Sequence, residues 1–160
     1  MQFVHDDKER RKRLMTHREI LDKLRNIEDR LEKLERAKQK RNLPFNACIP
    51  PLSLCRDIVK TYDSRELGNF DFQMQQLADY YGINRMDNRH NPERVPEKAI
   101  ACYHRFEQTA FYKTSNANLE TVLHEFFHHL YTNNVVCLGE ESEEKLADRF
   151  SQIVMKRGRD

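Results

Sequence analysis

The chain has 160 residues, with 28 Lys/Arg against 26 Asp/Glu and a formal net charge of +2. That length allows one compact domain and an appendage rather than two full domains. No apolar run approaches the roughly 20 residues needed to span a bilayer, and the start, MQFVHDDKERRKR, lacks the apolar stretch of a secretory signal. A cytoplasmic location and no membrane partner are therefore expected. Cys48, Cys55, Cys102 and Cys137 form no CxxC pair, which argues against a zinc ribbon and for reduced thiols.

Residues 8–41 contain no Gly or Pro and read as one long helix. Ile20, Leu24, Ile27, Leu31 and Leu34 recur in steps of four and three, the seam spacing of a coiled coil. Leu14 and Leu21 widen that stripe. The seam needs cover, so the helix should self-associate into a homo-oligomer or dock a partner. Residues 1–41 hold 14 Lys/Arg against 9 Asp/Glu. The run Arg10–Arg13 could contact nucleic-acid phosphates, but interleaved acids fit a solvated helix face better. Segment 1–43 is thus a basic docking helix, 44–53 a Pro-rich linker, and 54–160 the folded domain.

Ser53 is placed to cap a helix reaching about Leu67. Phe70–Tyr81 reads as another, with Gly82 at its C-cap. NRMDNRHNPERVPE (84–97) reads as a loop. Ala99–Phe106 and Thr109–Thr114 read as strands of a short antiparallel sheet, joined by a turn at Glu107-Gln108. Asn118 then caps a helix in which Leu119, Val122, Leu123, Phe126, Phe127, Leu130 and Tyr131 follow helical spacing without a break. A closing helix from near Ser142 carries Leu146, Ala147, Phe150, Ile153 and Val154 inward. The fold class is α+β.

The capped helix contains HEFFHH. At about 100° per residue, His124 and His128 share one side of it, beside the apolar stripe. Two imidazoles one turn apart can reach one tetrahedral Zn²⁺, while Glu125, turned by one residue, can face a metal-bound water as general base. His129 points away from the pair and reads as a surface residue or a support for the ligands.

Catalytic zinc needs a third protein ligand, and the sequence has no histidine after His129. A carboxylate from GEESEEKLADRF is expected instead. Glu144 leads over Glu143, Glu141 and Glu140, because Asp148 lies one turn further on and could support a ligand histidine through its free nitrogen. A run of acids at a helix start is also favourable with no metal at all.

HEFFHH followed by EKLAD resembles the zincin metallopeptidases of the gluzincin type, whose third ligand is a glutamate in an ExxxD helix. LADYYGI (77–83), the strand pair and the closing helix are similar to the small intracellular ImmA/IrrE-like peptidases. The resemblance covers roughly residues 70–155 and is specific at the two motifs. This chain departs from that family's usual form in having Phe127 before the second histidine and a basic helix in front. The resemblance implies a zinc-dependent metallopeptidase acting on an intracellular protein or peptide substrate. A substrate strand would lie along one of the two strands, and His104, Tyr103, Tyr112 or Tyr131 would stabilise the oxyanion. The rival reading is a non-catalytic, zinc-stabilised module that binds protein or nucleic acid through its first helix. Glu125 separates the two, since a structural site has no use for a base there.

Overall fold

The computed structural model describes residues 16–160, apart from the side chains of 36–39. Arg10–Arg13 and Leu14 lie outside the described residues. The chain divides between Arg36 and Ala37 into two units.

Helix α1 (His17–Gln39) carries the seam of the first unit. It begins behind a reciprocal cap: the Thr16 N–H donates to Glu19 Oε2 at 2.7 Å and the Glu19 N–H to Thr16 Oγ1 at 3.2 Å. This box satisfies two of the donors that a helix start leaves open; the stretch 8–15 of the expected helix lies outside the described residues. All five seam residues are exposed, from 42% at Ile20 to 60% at Leu34.

The second unit is mixed α and β. Its elements are α2 (Phe45–Cys48), α3 (Leu52–Lys60), α4 (Asp71–Tyr81), β1 (Asp87–His90), β2 (Ala101–His104), β3 (Thr109–Tyr112), α5 (Leu119–Thr132) and α6 (Glu143–Arg159), with short 3-10 turns at Leu67–Phe70 and Pro92–Arg94. At the centre is α5. Leu119, Val122, Leu123, Phe126, Phe127 and Leu130 are fully buried on it, each stabilising the fold by about 1.5–3 kcal/mol. The helix meets β2 and β3 on one side and α6 on another, and α6 is covered in turn by α3.

Three caps, Asn118, Ser142 and Gly82, fall where the sequence places them. Asn118 Oδ1 accepts the Thr121 N–H at 2.7 Å, and Ser142 Oγ accepts the Lys145 N–H at 3.3 Å. Gly82 ends α4 in the left-handed region, at φ 64, a conformation that costs glycine nothing.

Four expectations are corrected. The sheet is mixed, with order β1-β3-β2; β3 is central, antiparallel to β2 and parallel to β1. The strand β1 comes from the segment expected to be a loop. Helix α3 starts after Pro51, so Ser53 lies inside it and is not its cap, and it stops at Lys60, short of Leu67; just beyond that end Thr61 Oγ1 donates back to the Asp57 carbonyl at 2.7 Å. The Pro-rich stretch is not a spacer: Cys48 and Ile49 enter the core, and Leu43, just ahead of it, pairs with Val136 as a β-bridge. No helix of the described residues is long and apolar enough to cross a membrane.

Candidate metal centre

The site lies where α5, α6 and β2 converge. His124 and His128, one turn apart on α5, direct their Nε2 atoms at each other across 3.3 Å. Glu144, in the first turn of α6, closes the triangle: Oε2 is 3.2 Å from His124 Nε2 and Oε1 is 3.3 Å from His128 Nε2. One ligand atom from each of the three residues lies within 4.8 Å of the other two.

Both rings are held from behind. His124 Nδ1 lies 2.8 Å from Asp148 Oδ1, the pairing expected from the one-turn spacing of Glu144 and Asp148. His128 Nδ1 lies 2.6 Å from Glu143 Oε1, a contact the sequence reading missed. Glu143 in turn takes a hydrogen bond from Arg105 Nη2 at 2.5 Å. An ionised carboxylate only accepts, so each ring must donate its Nδ1–H. A neutral imidazole of that tautomer then has a bare lone pair on Nε2. Two such lone pairs and a carboxylate pointing at one spot repel each other unless something positive sits between them.

A divalent cation fits that donor set. Two imidazole nitrogens and one carboxylate oxygen are the ligands of a catalytic zinc centre, and rings fixed through Nδ1 by carboxylates are the usual outer support. Two protonated imidazoles could also donate to Glu144, at the cost of placing like charges 3.3 Å apart. Of the other acids considered, Glu143 supports His128 from behind, while Glu140 and Glu141 do not line the site. Glu141 makes a two-pronged pair with Arg149 at 3.0 and 2.7 Å, and Glu140 is exposed.

Glu125 lies beside the triad and is almost fully buried. Burial pushes its carboxyl up from the ordinary value; His128, His124 and a hydrogen bond from the Tyr103 backbone N–H oppose that shift, and the Glu144 carboxylate adds to it. Together these contacts leave a carboxyl that takes a proton more readily than a surface glutamate does. Its bond to Tyr103 ties the base to the rim of the site.

A cleft of about 740 Å³ opens over the triad, lined on one side by residues 98–103 and on the other by the exposed face of α5. The rim is the free edge of the sheet. The Lys113 N–H donates to the Ile100 carbonyl at 3.1 Å, so antiparallel alternation turns the backbone groups of Ala101 and Tyr103 away from β3. Of the two strands expected along the cleft, only β2 is an edge; β3 is paired on both sides.

Three of the four expected oxyanion residues, His104, Tyr112 and Tyr131, do not line this cleft. His104 is engaged by Arg94, with Nδ1 at 2.9 Å from its side chain and Nε2 at 3.0 Å from its carbonyl. Tyr112 is buried and donates to Asn88 Oδ1 at 2.7 Å. Tyr131 lies beneath the Arg105 guanidinium. Tyr103 does line the cleft, but its hydroxyl is 2.7 Å from His129 Nδ1. His129 is not a surface residue: it is fully buried, with Nε2 bonded to the Asn84 carbonyl at 2.7 Å. Burial pulls its pKa down, so the neutral ring is the stable form. Asn84's carbonyl can only accept, so Nε2 carries the proton and Nδ1 accepts from the Tyr103 hydroxyl.

No family model, no curated protein and no solved structure matches this chain. The chemistry of the centre therefore has to be read from its own residues.

Proposed function

We propose that this protein is a zinc-dependent metallopeptidase of the gluzincin type, cleaving a protein or peptide substrate in the cleft beneath β2. The observation that carries the proposal is the convergence of His124 Nε2, His128 Nε2 and Glu144 on one point, with both Nδ1 atoms already bound to carboxylates. Beside that point stands a buried carboxylate that no ligand role requires.

Bound zinc would supply a Lewis acid, lowering the pKa of a water and polarising a scissile carbonyl. The chain's own residues do the rest. His124, His128 and Glu144 hold the ion, while Asp148 and Glu143 fix the two rings. Glu125 accepts a proton from the attacking water and returns it to the leaving amine; its burial favours the first transfer, and the Tyr103 N–H keeps its carboxylate aimed. The open backbone groups of Ala101 and the Tyr103 carbonyl pair with an extended substrate as an added strand. Such pairing is sequence-tolerant, so specificity falls to side-chain contacts along residues 96–105 and the exposed face of α5.

Glu125→Gln separates this reading from a binding module. The substitution preserves shape and removes the proton acceptor. Metal content and folding should be retained while proteolysis of a susceptible substrate is lost. Equal cleavage by wild type and Glu125→Gln would sink the mechanism.

A further inference from the structure

The exposed seam of α1 carries more information than its spacing. With Ile20, Ile27 and Leu34 at heptad position d, Leu24 and Leu31 fall at a. The flanking positions are then fixed. Position g holds Lys23 and Arg30, both basic; position e holds Leu21, Glu28 and Glu35, of which the two charged residues are acidic. In a parallel pair each g residue faces the e residue five positions on in the neighbouring chain. Lys23 then meets Glu28, and Arg30 meets Glu35, with both pairs repeated by symmetry. In an antiparallel pair g faces g and e faces e, so bases meet bases and acids meet acids.

We propose that α1 is a parallel self-association helix whose partner is the same helix of further copies of this chain. Five apolar residues, each exposed by 42–60%, supply the attraction, and the e/g charges set the orientation. Leu at a with Ile at d favours three or four strands over two. The helix offers about three heptads, so assembly is concentration-dependent. It would gather several copies of the second unit.

The test is sedimentation equilibrium of the full chain at several concentrations, with exposed charges exchanged. Lys23→Glu/Arg30→Glu makes both flanks acidic; Glu28→Lys/Glu35→Lys makes both basic. Either double variant should be a monomer where wild type is associated. The quadruple variant, with g acidic and e basic, should recover the wild-type mass. An antiparallel assembly behaves otherwise, because exchanging like-charged pairs for like-charged pairs changes little. All side chains involved are exposed on α1, and every tyrosine lies in the second unit, so an unchanged near-ultraviolet tyrosine circular dichroism serves as the folding control. A wild-type chain that stays monomeric at every concentration overturns the proposal, and so does an assembly that ignores the double exchanges or is not restored by the quadruple one.

Discussion

His124 and His128 face each other through Nε2 at 3.3 Å, yet each gives its Nδ1 to a different carboxylate of α6. The two supports are not equivalent. Asp148, holding His124, is largely exposed, whereas Glu143, holding His128, is mostly shielded and is itself bonded to Arg105.

That asymmetry sets the first prediction. Asp148→Asn and Glu143→Gln should each weaken zinc affinity, within the 10–100-fold range of outer-support mutations. Glu143→Gln should be the larger, because water can replace the exposed Asp148 more readily. Competition titration with a chelating zinc indicator measures both. Unchanged affinity in both variants would show that the carboxylates do not orient the rings.

The second prediction concerns the anchor between the rim and α5. Tyr103 OH bonds His129 Nδ1, and His129 Nε2 bonds the Asn84 carbonyl, joining β2, α5 and the loop before β1. Tyr103→Phe removes one hydrogen bond and should cost about 1 kcal/mol, while His129→Leu leaves a hydroxyl and a carbonyl unpartnered and should cost about 2–4 kcal/mol. Urea denaturation compares them. A cost for His129→Leu no greater than for Tyr103→Phe would mean that water replaces the lost partners.

The third prediction tests how α6 is held. At Gly158 a Cβ would lie 2.2 Å from Val59 Cγ2 and 2.6 Å from the Cys55 carbonyl oxygen. Val59 could turn aside, but the carbonyl belongs to the backbone of α3. Gly158→Ala normally favours a helix by about 1 kcal/mol; here overpacking of about 1–3 kcal/mol should outweigh it. A raised melting temperature for Gly158→Ala would contradict the close approach of α3 and α6.

Much of the site was legible because it depends on spacing within single helices. The i, i+4 relation put His124 beside His128 and Glu144 beside Asp148, and Asn118 and Ser142 fixed where the two helices begin. What the sequence hid depends on how elements meet. Glu143 reaches His128 only because α6 packs against α5. His129 is buried because Tyr103 and the Asn84 carbonyl occupy the space it points into. Strand β1 gave no signal, since Asp87-Asn88-Arg89-His90 lacks apolar alternation and pairs with β3 through its backbone. The Pro-rich stretch looked like a linker because its prolines were more visible than Cys48 and Ile49, which the core takes in.

Metal content of the purified protein tests the central claim, compared across wild type, His124→Ala, His128→Ala, Glu144→Ala, Glu140→Ala and Glu141→Ala. Wild type should hold about one zinc per chain. The two histidine variants and Glu144→Ala should be largely emptied and should melt at lower temperature than the zinc-loaded wild type. Glu140→Ala and Glu141→Ala should keep the metal, because neither carboxylate faces the paired rings. A wild-type protein free of divalent metal after zinc loading, or a Glu144→Ala variant that retains zinc as well as wild type does, would contradict the account.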